Sequence, residues 1–260
     1  MAKSSHPSSL FHFTKKSEHL FLILSGMYFK TSVARERITS KGGRRYFGVP
    51  MVSFCDIRLS QLEEHTQKYG EFGLGLTKSW AETKGLHPVL YMSKESTLFS
   101  DYNKRMRLLK DKLMPFWIRR HSLSPSEFKL FNKLKNEYAD LYNLLRYMKN
   151  YQGKLLRSDG SIEENFRFAD EKEWRYVPEP FVGDMWPSLN LDRIQTAENK
   201  KKYNEKFSFI DLSFSYDDVK YIIVPDASYL KKIEELPFNK DVLTLLLSKT
   251  LTMKQISEDF

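Results

Sequence analysis

The chain has 260 residues, a net charge of +9 (42 Lys and Arg against 33 Asp and Glu), 41% hydrophobic residues and 14% aromatic residues. This hydrophobic content excludes a disordered chain, and the length allows one large domain or two small ones. A single cysteine, Cys55, excludes an intramolecular disulfide, and the longest apolar stretch, Leu20 to Leu24, is too short to cross a membrane. Because the N-terminus lacks a signal-peptide layout, we expect a cytoplasmic protein without a membrane partner.

Short strands and helices alternate in the first third of the chain. Alternating apolar residues predict a strand at Ser9–Thr14, and three-and-four spacing predicts a helix at Ser17–Gly26, with Ser17 as its N-cap and Gly26 in a left-handed terminal position. Residues 35–46 are basic, polar and glycine-bearing, which is typical of a loop. The same reasoning predicts strands at Val49–Cys55, Gly70–Thr77 and His87–Met92, and helices at Leu59–Tyr69 and Lys78–Lys84.

Helices dominate the middle of the chain, from Ser96 to Asn150. The second of them is predicted to begin at Ser124-Pro125, where a capping serine precedes a proline. A strand at Phe166–Val177 follows, and residues 192–206 lack a regular pattern. Strands at 207–214 and Val219–Pro225 and helices at Ala227–Leu236 and Leu243–Ile256 complete the prediction. This order predicts a single α+β domain over residues 1–260 with a helical insertion at 96–150.

The basic charge is concentrated in the first helix of the insertion. Between Asn103 and His121 a single acid, Asp111, stands among seven basic residues. These are Lys104, Arg105, Arg107, Lys110, Lys112, Arg119 and Arg120. Such a run usually forms a solvated helix face, and the alternative is a patch that binds nucleic acid.

The predicted strand around residue 173 carries charges on one face and aromatic residues on the other. The two-residue period places Glu171, Glu173 and Arg175 together, opposite Trp174 and Tyr176. Two neighbouring carboxylates raise each other's pKa unless a cation lies close, and Arg175 is placed to be that cation. On the charge pattern alone, the strand is an exposed one whose charges pair in solvent.

The familiar motifs of metal, dinucleotide and nucleophile sites are absent from the sequence. The six histidines lack zinc-ligand spacing, and Gly73-Leu74-Gly75 lacks the third glycine of a dinucleotide fingerprint. Glycines inside a strand instead indicate that a ligand or another backbone approaches closely. His12 at the end of the first strand, taken alone, is typical of a core histidine, and Ser53 and Tyr69 are ordinary on their own.

Several segments, taken in order and spacing, resemble the abortive-infection AbiGi family. They are Leu10–Thr14, Leu22–Gly26, Val49–Ile57, His65, Tyr69-Gly70, Gly73–Gly75, Lys78–Trp80, Pro88–Tyr91 and Glu171–Arg175. The resemblance covers most of residues 10–180. That family is described as the antitoxin member of bacterial phage-resistance pairs. The resemblance therefore implies a cognate toxin or a phage-derived trigger as a partner.

A wider similarity links the chain to DarT-type ADP-ribosyltransferases. It is carried by the His12-Phe13-Thr14 strand, a helix ending Ile23-Leu24-Ser25-Gly26, the Val49-Pro50 strand and a late glutamate. The similarity implies a split mixed sheet with flanking helices that binds NAD. His12 and Thr14 match the motif that holds the ribose and the amide, and Glu173 corresponds to the catalytic glutamate.

Further assignments on the same resemblance are Tyr69 as the aromatic that stacks on nicotinamide and Ser53 as a wall residue. Arg175 would hold a phosphate or keep the two acids ionised, and Glu171 would orient the acceptor. Cleavage of the ribose–nicotinamide bond builds positive charge on the sugar, which a carboxylate stabilises.

Three hypotheses of function remain open at this point. The first is a phage-defence protein that transfers ADP-ribose from NAD to a macromolecule. The second is a non-enzymatic antitoxin that neutralises a partner toxin by contact or binds DNA. The third, a metal-dependent nuclease using Asp56, Glu171 and Glu173, is weakened by the cation at Arg175. Convergence of His12 and Glu173 in one cleft would favour the first.

Overall fold

The computed structural model describes residues 7–156, 160–179 and 189–259. Its strands are β1 (Ser9–Thr14), β2 (Tyr28–Lys30), β3 (Ser32–Ser40), β4 (Gly43–Cys55), β5 (Phe72–Thr77), β6 (His87–Pro88), β7 (Leu90–Met92), β8 (Met148–Asn150), β9 (Gly153–Leu156), β10 (Ile162–Phe166), β11 (Glu173–Tyr176), β12 (Asp211–Ser213), β13 (Val219–Val224) and β14 (Thr250–Thr252). Its α-helices are α1 (Ser17–Gly26), α2 (Leu62–Tyr69), α3 (Lys78–Thr83), α4 (Leu98–Ile118), α5 (Pro125–Arg146), α6 (Ala197–Glu205), α7 (Leu230–Glu234), α8 (Lys240–Ser248) and α9 (Met253–Asp259). The predicted α+β class is confirmed.

A mixed sheet of eight strands organises the molecule. Seven strands run in the order β14-β13-β5-β1-β4-β11-β6, and β3 pairs with β4 off this path. The β13–β14 pair is parallel, and the other pairs of the sheet are antiparallel. One buried cluster, which includes Leu24, Phe54 and Trp80, packs on one face, and a second, which includes Met51, Phe99 and Leu134, lies between β4 and the long helices.

The long strand β4 connects the two parts of the sheet. Its first nine residues pair with β3, from Ser40↔Gly43 to Ser32↔Met51, while Val52 to Cys55 pair with β11. Toward β1 its pairing consists of one position, Phe11↔Cys55. The sheet therefore opens between β1 and β4 beyond that pair, and this opening is the position of the candidate site.

The helical segment between β7 and β8 is a hairpin of two long helices, α4 and α5, which contact each other. A capping box begins α5, because the Ser124 hydroxyl accepts from the Glu127 N–H while the Glu127 carboxylate accepts from the Ser124 N–H. The predicted start at Ser124-Pro125 is thereby confirmed. The strand before the helices, β7, pairs in parallel with the strand after them, β8, with Tyr91 opposite Lys149. The two helices therefore begin and end beside the same part of the molecule.

The two strand glycines accommodate aromatic rings of the protein. A Cβ atom at Gly73 would lie 2.5 Å from the Phe13 ring, and one at Gly75 would lie 2.7 Å from the Phe11 ring. The sequence predicts the close approach of a ligand or another backbone at these glycines, but the atoms that lie close belong to the side-chain rings of Phe13 and Phe11 on the neighbouring strand β1.

Several segments of the chain differ in secondary structure from the prediction. Residues 35–46 were expected to form a loop, but they form the β3–β4 hairpin, and residues 192–206 contain α6. The predicted closing helix Leu243–Ile256 is interrupted by β14, which pairs with β13. Lys16 rather than Ser17 is the N-cap of α1, and Met27 rather than Gly26 takes the left-handed position, with φ of 54°. Within the described residues, no helix is both long and apolar enough to cross a membrane.

Candidate active site at the split between β1 and β4

The charged residues around position 173 are buried rather than solvated. The predicted strand at Phe166–Val177 is shorter than expected, because a 3₁₀ turn at Phe168–Glu171 and a left-handed Lys172 (φ 44°) precede β11. Glu173 is 6% exposed and Arg175 is 0% exposed. This burial overturns the interpretation of an exposed strand whose charges pair in solvent.

Arg175 binds the carboxylate of Glu173 in a forked arrangement. Its Nε donates to Glu173 Oε1 at 2.7 Å and its Nη2 donates to Glu173 Oε2 at 3.2 Å. The same guanidinium donates to Glu36 Oε1 on β3 at 2.9 Å and to the Arg146 carbonyl at 2.8 Å. Because Arg175 has no exposed surface, it fits the role of holding Glu173 ionised and does not reach a phosphate from solvent.

Lys149 on β8 bridges the two acids that the sequence singled out. Its Nζ lies 2.7 Å from Glu171 Oε2 and 2.8 Å from Glu173 Oε2. Tyr91, opposite Lys149 on β7, accepts the backbone N–H of Glu173 through its hydroxyl at 2.8 Å. The parallel β7–β8 pair thus fixes both the side chain and the backbone of Glu173.

The cations determine the protonation of the buried acids. Burial by itself raises the pKa of a carboxyl group, but Arg175 and Lys149 outweigh it and hold the pKa of Glu173 well below its usual range. Burial by itself lowers the pKa of a lysine, but the carboxylates, led by Glu173, raise the pKa of Lys149. Glu36 differs, because burial outweighs the pull of Arg175 and raises its pKa. Glu173 is therefore a carboxylate at neutral pH, clamped by two cations.

His12 lies at the opening of the sheet, across from β4. Its Nδ1 donates to the Ser53 carbonyl at 2.9 Å, so the neutral ring keeps Nε2 as an acceptor. Burial lowers the pKa of His12, which favours this neutral form. The register places Phe11, Cys55 and Glu173 in one row, so alternation directs His12 toward the other face, where its ring contacts Phe29 and Phe54.

A cleft of about 330 Å³ at this opening brings most of the expected residues together. His12, Ser53, Tyr69 and Glu173 all line it, as do Glu36, Lys149 and Glu171. His12 and Glu173, on which the enzymatic hypothesis depends, both line this cleft, although the register places their side chains on opposite faces of the sheet. The cleft lies where β1 and β4 separate after the single Phe11↔Cys55 pair.

Aromatic rings form one wall of the cleft. The Tyr69 and His65 rings lie 4.5 Å apart with 30° between their planes, and the His65 ring lies 5.1 Å from Phe13. The Tyr69 hydroxyl donates to Glu171, and burial together with that carboxylate raises the pKa of Tyr69. Burial lowers the pKa of His65 to about 4, so this ring is neutral at pH 7.

Thr14 lies apart from these residues. Its hydroxyl contacts the ring of His19 at 3.2 Å, in an exposed position at the end of β1. The cleft lining contains Phe11, His12 and Phe13 but not Thr14. The structure therefore brings together four of the six residues expected to bind NAD, and it leaves Thr14 outside and Arg175 beneath the cleft.

Sequence reasoning missed three residues of the site: Glu36, Lys149 and Tyr91. Glu36 lies in a segment that the sequence predicted to be a loop. The buried positions of β3 are Val33, Glu36 and Ile38, so one acid stands between two apolar residues. Lys149 and Tyr91 reach Glu173 only because β7 and β8 pair across the helical insertion.

All seven basic residues of the insertion's basic run are exposed, and two of them also contact other side chains. Lys104, Arg105, Arg107, Lys110 and Lys112 are exposed on α4. Arg119 forms an ion pair with Glu127 at 2.7 Å, and Arg120 lies 5.1 Å from the centre of the Trp117 ring. Binding of nucleic acid by this basic run stays a prediction.

The acids expected for a nuclease are already bound to cations. Asp56 pairs with Lys78 at 2.7 Å, while Lys149 bridges Glu171 and Glu173. Among the residues that the structure describes, no group of three or more His, Cys, Asp or Glu side chains is placed to hold a metal ion. This arrangement argues against the nuclease hypothesis.

Comparison with known proteins places the chain among phage-resistance proteins. Residues 29–225 match the family described as "Putative abortive phage resistance protein AbiGi, antitoxin". The chain therefore belongs to the AbiGi family, which confirms the resemblance drawn from its motifs. It is also 26% identical over 237 residues to the "Abortive phage resistance protein AbiGi" of Lactococcus lactis subsp. cremoris, a match that covers 82% of this chain and 89% of that protein. No solved structure matches the chain.

Proposed function

We propose that this AbiGi-family protein binds NAD in the cleft at the split of its sheet and transfers ADP-ribose to a macromolecule. The observation that carries the proposal is that His12, Tyr69 and Glu173 all line that cleft. A volume of about 330 Å³ suits the nicotinamide–ribose half of the molecule.

The charges of the cleft suit a cationic ring better than an anion. Three carboxylates, Glu36, Glu171 and Glu173, face two cations, Lys149 and Arg175, so the cluster has a net charge of −1, or zero when Glu36 is protonated. Nicotinamide is cationic while it is attached to ribose, and aromatic faces attract such cations. Tyr69 and its neighbour His65 offer those faces.

NAD supplies the ADP-ribosyl group and a nicotinamide leaving group. Glu173 stabilises the positive charge that develops on the ribose as this bond breaks, and its low pKa keeps it ionised for that task. The acceptor nitrogen of neutral His12 fixes a ribose hydroxyl before charge develops. Arg175 and Lys149 position the carboxylate.

The test is transfer of label from NAD, radiolabelled in the adenylate, in a cell extract. We expect labelled product and free nicotinamide from the wild type and from Glu82→Gln, an exposed control on α3, and neither from Glu173→Gln. A loss of about a hundredfold or more is expected when a charge-stabilising group is removed. Absence of both products from a folded wild type would refute the enzymatic function.

A second candidate is a non-enzymatic antitoxin, which the family description itself favours. Under this hypothesis the Glu173 network is a buried structural cluster, and the protein acts by contact with a partner toxin. Toxin neutralisation that survives Glu173→Gln unchanged would support this candidate, whereas neutralisation lost together with NAD turnover would support the enzyme.

A further inference from the structure

A second and larger cavity lies away from the Glu173 cleft. Its volume is about 660 Å³, and it is bounded by the N-terminal half of β4, the helices α4 and α5, and the segment from Leu189 to Lys206. None of its lining residues belongs to the Glu173 cleft. We refer to it as the basic groove.

The charge of the basic groove is entirely positive. Arg45, Lys110, Arg193 and Lys206 line it, and its described lining contains neither aspartate nor glutamate. Arg45 is fixed by Asn103 and by the hydroxyl of Tyr142. In the part of the chain that the structure describes, no carboxylate forms an ion pair with Lys110, Arg193 or Lys206, and all three are exposed.

Aromatic rings accompany these cations. Tyr46 is 46% exposed on β4, where Arg37 lies 5.9 Å from the centre of its ring. Tyr203 on α6 lies on the other side, with the Lys206 ammonium 5.0 Å from the centre of its ring. Tyr46 is the more accessible of the two rings, because Tyr203 is half-buried. Cations combined with accessible aromatic faces are the recognition chemistry of unpaired bases on a phosphate chain.

We propose that the basic groove binds single-stranded nucleic acid, with bases on Tyr46 and Tyr203 and phosphates on Lys110, Arg193 and Lys206. A duplex hides the faces of its bases and gains nothing from rings inside a concave groove. A chain is favoured over a single nucleotide because the positive surface continues beyond the groove. Lys104, Arg107 and Lys110, spaced by three residues on α4, are all exposed.

The proposal does not depend on NAD, and a binding measurement tests it. Fluorescence anisotropy of labelled oligo(dT) and oligo(U) of about 12 nucleotides measures affinity for a single strand. Tyr46→Ala should weaken binding about 5- to 150-fold, the cost of one lost stack, while Tyr46→Phe keeps the ring and should bind as the wild type does. Thermal unfolding of both variants verifies that they are folded.

The charges are tested through salt dependence. The double variant Arg193→Gln/Lys206→Gln should reduce the slope of log affinity against log salt by about 1.4, because each single-strand phosphate contact contributes about 0.7. Lys231→Gln/Lys240→Gln removes the same charge from exposed positions on α7 and α8 and should leave most of the slope in place. A preference for oligo(U) over oligo(dT), or the reverse, identifies RNA or DNA as the ligand and supports the proposal.

Three results would overturn the proposal. The first is no rise in anisotropy up to about 100 µM protein at low salt, which is the weak limit of non-specific binding. The second is binding that both groove variants leave unchanged. The third is an affinity for duplex, or for a thymidine mononucleotide used as competitor, equal to that for the strand.

Discussion

His65, in the aromatic wall of the cleft, is expected to make the stability of the fold depend on pH. Burial lowers its pKa from the usual 6.5 to about 4 in the folded protein. The unfolded chain therefore takes up a proton as pH falls below 6.5, while the folded protein does not. Since the folded pKa is the lower one, His65 stabilises the fold above pH 6.5, and this contribution declines as pH falls toward 4.

We predict that His65→Phe flattens the pH dependence of unfolding between pH 4.5 and 6.5. Two pH units at about 1.4 kcal/mol each correspond to a loss of about 2–3 kcal/mol in the wild type that the variant avoids. The phenyl ring keeps the contacts with Tyr69 and Phe13. Urea unfolding at several pH values measures the effect, with His121→Phe at an exposed position as the control. Equal slopes in wild type and His65→Phe would contradict the prediction.

Arg175 is the residue whose removal should damage the fold most directly. Loss of its guanidinium leaves Glu173 and Glu36 buried with one fewer cation, and it frees the Arg146 carbonyl. Breaking such a buried pair costs about 3–5 kcal/mol. We therefore expect Arg175→Met to lower the free energy of unfolding by that amount in urea titrations. Arg37→Met, an exposed arginine on β3, should change it by less than about 0.5 kcal/mol.

At the scale of elements, β5 depends on its two glycines to pack against β1. A methyl group at Gly75 would meet the fully buried Phe11 ring at 2.7 Å and the Tyr221 Cβ at 3.2 Å. We predict that Gly75→Ala destabilises the protein by about 1–3 kcal/mol, the usual cost of overpacking. The same variant with Phe11→Leu should recover part of the loss, because the smaller side chain makes room. No recovery in the double variant would locate the strain elsewhere.

Elements defined by local sequence were predictable, and those defined by distant partners were not. The boundaries of β1 and the capped start of α5 follow from alternation and from Ser124-Pro125. The β3–β4 hairpin was missed because its basic residues concealed the apolar alternation, although the Ser40↔Gly43 pair leaves a two-residue turn containing Gly42. The short strand β14 exists because it pairs with β13.

The same division holds for the candidate site. His12, Ser53, Tyr69 and Glu173 were proposed through the resemblance to DarT-type ADP-ribosyltransferases, and all four line the cleft. Lys149 was not found, because only the pairing of β7 with β8 brings a lysine from beyond the helical insertion to Glu173. Burial of Arg175 was equally invisible, since the charge pattern of β11 is also that of an exposed strand.

At the scale of the whole molecule, one strand serves two cavities of unlike charge. The end of β4 at Met51, Ser53 and Cys55 lines the Glu173 cleft, where carboxylates equal or outnumber cations. Its beginning at Arg45 and Phe47 lines the basic groove, where every charged residue is positive. The net charge of +9 is therefore unevenly distributed, and the two proposed ligands should respond differently to salt.

We predict that salt separates the two binding activities. Between about 50 and 200 mM salt, three phosphate contacts at Lys110, Arg193 and Lys206 should cost about 20-fold in oligonucleotide affinity. Affinity for NAD should change by less than about threefold, because the cleft has no excess of positive charge to be screened. Calorimetric titration of NAD and anisotropy of the oligonucleotide, in the same buffers, make the comparison. Glu173→Gln should alter NAD turnover alone and Arg193→Gln/Lys206→Gln the oligonucleotide alone. Equal salt slopes, or one variant that abolishes both activities in a folded protein, would mean that a single site binds both ligands.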